Sequence, residues 1–308
     1  MRISPLNLIS TPMAVLNTVG LDLRVGLSSE DPMVGRNPSE PYEAYLSIYS
    51  PEGILLQRPH LGQIPENRRR FFNVTAITRG LVPNGDHLAV VHRIPSSLAS
   101  QMSDPAEEIE ISNKPDYSMY RSLVEYSYPS GGNGSVVYET PPRLNAGSTT
   151  GQKTSNTFTF TCQTVLSESV NTHVILINSS VDPAYSTIVN FAYGLHSSSG
   201  DLVWSDNVSV GPFAISILDL ARIIPAQVVS KERDPEDGVA AFTLVGYSEE
   251  ASLLVLLVNA APSLGAVAVE HTHPPQAYLF PIGAGYQRTA KEDAQRACKS
   301  ILSSARSS

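Results

Sequence analysis

The sequence predicts an all-β protein: two tandem, duplicated antiparallel β-sandwich domains with a short C-terminal α-helix. Three observations carry that expectation. Charged residues are sparse at 16%, while Pro (23) and Gly (20) are plentiful, a composition that suits strands joined by turns better than amphipathic helices. Short apolar runs punctuated by turn residues recur along the chain, with no convincing long helix until Thr289. Two distant stretches, Ser122–Pro142 and Ser252–Pro275, also share one plan, strand, turn, strand, then a Glu shortly before a Pro-Pro.

The second of these stretches has no charged residue until Glu270. Its apolar run approaches the roughly 18 to 20 residues of a membrane-spanning helix. Its Val content and the cluster Asn259, Pro262 and Gly265 point instead to two buried strands joined by a turn. The earlier counterpart carries Glu125, Tyr126 and Tyr128. No membrane span is expected.

From the N-terminus, Met13–Thr18 is an apolar run ending in Asn and a small polar residue, and Val174–Ser179 matches it, Asn17 against Asn178. Each is followed by a loop with an Asp-Pro, Asp31-Pro32 or Asp182-Pro183. Tyr42–Tyr49 and Ile188–His196 alternate with the period of a half-buried strand. The turns Ser50–Gly53 and Ser197–Gly200 follow, each ending in the Gly that a positive φ favours. Gly53 and Gly200 stand 147 positions apart, as do Pro65 and Pro212. Phe71–Ile77 then pairs with Ile215–Ile223, and His87–Arg93 with Ala241–Tyr247, before the closing hairpins.

The repeats are expected at residues 1–146 and 158–282, joined by the polar linker 147–157 (GSTTGQKTSNT). They differ in two places. Ile94–Tyr117 is a long acidic insertion where the second copy has only Ser248-Glu249-Glu250, and a loop of that length is usually functional or disordered. Arg68-Arg69-Arg70 also falls, by the same spacing, on Ile215-Ser216-Ile217. The tail, 283–308, opens on the capping box Thr289–Glu292 and carries an Ala, Cys, Ile and Leu stripe with five basic residues, a basic amphipathic helix suited to docking.

Function is less legible. A net charge of −8 disfavours nucleic acid as a partner. Cys162 and Cys298 have neither metal-ligand nor redox spacing, and free thiols fit the cytoplasm. There is no GxSxG elbow and no phosphate-cradling glycine loop in a strand–turn–helix setting. The expected function is therefore a non-catalytic binding or assembly protein, a homo-oligomer with a protein or small-molecule ligand and no cofactor. Its candidate binding residues are Asp104, Glu107, Glu108 and Glu110 of the acidic insertion, with Tyr117 and Tyr120 as stacking surfaces. The alternative is an enzyme dependent on a divalent metal held by His271 and His273, which an i, i+2 spacing puts on one side of a strand, with a third ligand still to be found.

Overall fold

The computed structural model describes residues 2–7, 9–29, 40–66, 68–107, 109–110, 122–129, 131–138, 158–180, 185–248, 253–271, 296 and 300. The linker 147–157, the basic tail (residues 296 and 300 apart) and most of the acidic insertion beyond Glu107 lie outside that set.

The first half supplies β1 (Arg2–Ile3), β2 (Ser10–Val15), β3 (Asp22–Ser28), β4 (Tyr42–Tyr49), β5 (Leu55–Gln57), β6 (His60–Ile64) and β7 (Arg69–Asn73). Then come α1 (Val74–Arg79), β8 (His87–Pro95), α2 (Ser96–Ala99), β9 (Ile109–Glu110), β10 (Ser122–Ser127) and β11 (Asn133–Tyr138). The second half supplies β12 (Phe158–Leu166), β13 (Asn171–Asn178), β14 (Val189–His196), β15 (Leu202–Val210) and β16 (Ala214–Asp219). It closes with α3 (Leu220–Ile223), α4 (Ala226–Glu232), β17 (Ala240–Ser248), β18 (Leu253–Ala261) and β19 (Ala266–His271).

The fold is all-β and sandwich-like, with antiparallel pairing throughout. Sheet I runs β2-β8-β4-β5, with β6 continuing beside β4; sheet II runs β7-β3-β10-β11. In the second half, sheet III runs β16-β13-β18-β19 and sheet IV runs β12-β17-β14-β15. A two-stranded ribbon joins β1 to β9. Sheets I and IV thus use one strand order, and so do sheets II and III. A register shift falls between Ile48 and Tyr49 in β4 and between Leu195 and His196 in β14, again 147 positions apart. The turns after them close on Gly53 and Gly200 with φ of 94° and 89°.

That strand order corrects one expected match. Val174–Ser179 is equivalent to β3, not to Met13–Thr18, while β2 is equivalent to β12. Both β2 and most of β13 are buried on both faces, so both read as apolar runs without alternation. A second correction concerns Phe71–Ile77. The strand stops at Asn73, whose Oδ1 accepts the N–H of Ala76 at 2.9 Å and starts α1. The acidic insertion is likewise tied down where it is described: α2 follows β8, β9 pairs with β1, and Ser4 Oγ donates to the Pro105 carbonyl at 3.2 Å.

The layers are stacked in the order II, I, III, IV. Sheet I turns Tyr42, Ala44, Leu46, Ile48, Met13 and Val91 toward sheet II. Thr11 to Ser122 and the hydrogen bond from Tyr126 to the Ala14 carbonyl (2.7 and 2.8 Å) cross the gap. The other face of sheet I meets sheet III: β13 lies against β2 and β16 against β8. Tyr49 stacks on Phe213 at 5.5 Å, and Ile215 N–H donates to the Pro51 carbonyl at 3.1 Å.

Sheet III is consequently apolar on both sides. Ile175, Ile177, Ile215, Leu256 and Val258 belong to the core of the first half. Val174, Leu176, Leu218, Val255 and Leu257 belong to the core beneath sheet IV. Each such side chain contributes roughly 1.5 to 3 kcal/mol when fully buried. This explains most of the charge-free run: β18 is buried between layers, while the 3-10 turn after it is exposed and β19 is half-buried at the rim. No described helix is long and apolar enough to cross a membrane.

Past the edge of β2, sheets II and III meet directly through β11 and β19. Gly131 and Gly134 make that approach possible. A Cβ on Gly131 would lie 2.0 Å from the Gly265 carbonyl oxygen, and one on Gly134 would lie 3.0 Å from that of Val267.

Candidate binding face

Because sheets II and III share a strand order, their outer faces can be compared strand by strand. In sheet III that face is covered by sheet I. In sheet II no described element covers it, and its residues change character accordingly. Register places Arg24, Gly26 and Ser28 of β3 beside Phe71 and Arg69 of β7, and beside Leu123 and Glu125 of β10. The expected coincidence of Arg68–Arg70 with Ile215–Ile217 holds for the strands, β7 with β16, but not residue by residue: Ile215 and Ile217 face sheet I, whereas of the three arginines only Arg69 lies on the face that no described element covers.

Phe71 is the anchor of this face. Its ring lies over Gly26, where an added Cβ would meet Phe71 Cε1 at 2.7 Å, so a side chain at position 26 would displace the ring. The Arg24 guanidinium sits 5.3 Å from the ring centroid, and its Nη1 donates to Glu125 Oε1 at 3.0 Å. Phe71 still exposes 43% of its surface. An apolar ring held in place by a cation, with Arg69 exposed beside it, can accept an apolar group rimmed by acidic ones. At the sandwich edge, Arg70 stacks on Phe72 at 4.9 Å and donates to the Gln63 carbonyl at 2.9 Å. Arg79 pairs with Asp22 at 3.2 Å.

The residues singled out from sequence are not gathered here. Asp104 and Glu107 are exposed, and their hydrogen bonds are local: Asp104 accepts the N–H of Ala106, and Glu107 accepts from the Ser103 hydroxyl. Glu110 lies in β9, opposite Arg2. Glu108, Tyr117, Tyr120 and His273 fall outside the described residues. His271 ends β19 opposite Leu256. Among the described residues, no three His, Cys, Asp or Glu side chains converge as metal ligands would. Among the described tyrosines of the first half, Tyr42 and Tyr126 are fully buried, and Tyr45 lies against the His60 ring at 4.7 Å.

Two polar clusters were not visible in sequence. His92 and Ser47, both buried on sheet I, form a chain in which His92 Nδ1–H donates to the Leu6 carbonyl (2.6 Å). Its Nε2 accepts from Ser47 Oγ (2.8 Å), which accepts from Arg58 Nε–H (3.0 Å). Burial drives the His92 pKa down to about 3, the Leu6 bond opposing this and the Arg58 charge adding to it. The dyad has the spacing of a nucleophile and its base, yet both residues are buried in the core, where they join strands. The second cluster lies where the halves meet. Asn171 Nδ2 donates to Asp219 Oδ1 (2.7 Å), and Arg222 pairs with Asp219 Oδ2 (3.1 Å). Beside them His173 is held below its usual pKa by burial, partly offset by Asp219.

No family model and no curated protein matches the chain. Among solved structures, it is similar to a glycosyl hydrolase family 2 member from Bacteroides cellulosilyticus, at 10% identity and a TM-score of 0.19. That alignment covers 86% of this chain and 26% of the hydrolase, so the chain spans about a quarter of that protein's length. It is also similar to a protein of the T13 IBDV viral particle, at 12% identity and a TM-score of 0.19, over 94% of this chain and 73% of the other. The infectious bursal disease virus Gx strain structure gives 10% identity and a TM-score of 0.18, covering 82% and 62%. Likenesses this remote carry no argument about function.

Proposed function

We propose that the chain is a non-catalytic assembly protein, built from a duplicated β-sandwich module, whose copies associate through the outer face of sheet II. One observation carries the reading: the face equivalent to it, on sheet III, is the surface by which the second half binds the first, and on sheet II no described element covers that surface, where Phe71 is held in place by Arg24. The common strand order, the paired bulges and the Gly53 and Gly200 turns support duplication. The chain's net charge of −8 supplies acidic surface for Arg69 and Arg24 to meet. The free, buried Cys162 is in keeping with a cytoplasmic setting.

Light scattering over a range of protein and salt concentrations tests this reading. Assemblies larger than a single chain should form at low salt and shrink as salt rises. Phe71→Ala combined with Arg69→Glu should abolish the salt-sensitive association while leaving the melting temperature nearly unchanged. A mass that ignores both salt and the double substitution would remove sheet II from the assembly.

A further inference from the structure

We infer that the free edge of β12 pairs with the β12 of a second copy, antiparallel about a twofold axis at Thr161, joining two four-stranded sheets IV into one of eight strands. The two edges of that sheet differ. β15, one edge, carries Asp206 and faces the register shift at Leu195/His196, both features that discourage strand addition. β12, the other edge, is nine residues long (FTFTCQTVL), without a charge, a proline or a register shift against β17. Among the described residues, no strand pairs with its far side.

The direction of its backbone groups can be fixed. Val165 N–H donates to Thr172 Oγ1 at 2.9 Å, and the same oxygen lies 2.8 Å from the Val165 carbonyl. Val165 therefore points its backbone away from β17, and by alternation so do Gln163, Thr161 and Thr159. Thr172 plugs the edge at Val165 and leaves Thr159–Gln163 as the open part. An open segment of five residues centred on Thr161 has one self-pairing register that uses all of it: Thr161 opposite Thr161, and Thr159 opposite Gln163. That arrangement makes six backbone hydrogen bonds, two for each of three facing pairs.

A second copy fits this edge because the strand is uncharged, so antiparallel self-pairing sets no like charges opposite one another. The contact is isologous and closes at a dimer. Cys162 and Thr164, buried beneath sheet IV, fix the inner side of β12; Gln163 lies exposed on the outer side, donating to Thr243 Oγ1 at 3.0 Å. Position 161 shares its strand parity with Gln163 and not with Cys162 and Thr164.

Charge reversal at the axis tests the register. By light scattering, the full-length chain should have twice the mass of a single chain at high salt, where association through sheet II is screened. Thr161→Lys and Thr161→Glu should each give single chains with unchanged circular dichroism, and an equimolar mixture should return to twice the mass. Thr161→Pro, which removes the central donor on the free edge alone, should also dissociate the dimer. Single chains in the unsubstituted protein at every concentration, or dimers that persist in T161K and T161E, would overturn the inference; so would a mixture that fails to recover. The contact is independent of sheet II: a high-salt dimer that ignores Phe71→Ala but requires Thr161 upholds it, whereas the proposed function stands or falls on the further gain in mass at low salt, which Phe71→Ala with Arg69→Glu should remove and Thr161→Lys should not.

Discussion

Gly132 donates its backbone N–H to the carbonyl of Gly265 at 2.7 Å, so the turn of one hairpin is hydrogen-bonded to the turn of its strand-order equivalent in the other half. The neighbouring Gly131 has room for no side chain, whereas a Cβ on Gly132 would sit at an ordinary 3.8 Å from the same oxygen. Gly131→Ala should therefore cost about 1 to 3 kcal/mol, the usual toll of overpacking, and Gly132→Ala less than about 0.5 kcal/mol. Urea denaturation of the two variants side by side measures the difference.

Asn178 should be among the most sensitive polar positions. It is fully buried; its Nδ2 donates to the carbonyls of Thr187, Val210 and Gly211 at 2.8 to 3.0 Å, and its Oδ1 accepts from Tyr185 Oη–H at 2.6 Å. Asn178→Ala strands several buried groups and is expected to cost about 2 to 4 kcal/mol. Tyr185→Phe removes one bond and should cost about 1 kcal/mol. Thermal melts followed by calorimetry separate the two.

Acid should weaken the fold through His92. Its folded pKa of about 3 lies below the ordinary 6.5, so the unfolded chain binds the extra proton first. The stability this group confers is complete above about pH 6.5 and is lost as pH falls toward 3, by up to about 1.4 kcal/mol per pH unit. Denaturation midpoints should fall between pH 7 and 5, and in His92→Gln that slope should flatten.

The halves should not come apart. Ile175, Ile177, Leu256 and Val258 share a core with Met13, Leu88 and Val90. A protease site inserted between positions 147 and 157 should, once cut, give two fragments that co-elute on gel filtration. Elution as two separate folded species would contradict the shared core.

Much of the architecture was legible because most strands here keep one face wet. Tyr42–Tyr49 and the Ser50–Gly53 turn announced themselves through alternation and a glycine. Asp22–Ser28 also alternates, at Leu23, Val25 and Leu27, and Phe158–Leu166 directly follows the polar linker 147–157. The apolar runs of β2 and β13 misled because burial on both faces removes the period that would tell equivalent strands apart. The face on sheet II was half legible: spacing alone sets Arg68–Arg70 against Ile215–Ile217, although only Arg69 of the three lies on it. Its meaning depended on which layer covers which, and no local pattern encodes that. The same holds for Thr172 and Val165, partners across a turn whose bond decides which side of β12 is open.

The order of the layers also has a consequence for synthesis. Sheet I is complete once β8 has left the ribosome, but the strands that cover its far side, β13 and β16, begin only at Asn171 and Ala214, more than seventy residues later. Until then Pro12, Ala14, Leu88 and Val90 form a wet apolar surface on a half-finished molecule. A nascent chain halted anywhere in that interval presents a sticky sheet to its neighbours on the same message, so the dangerous moment in this protein's life comes before it is whole.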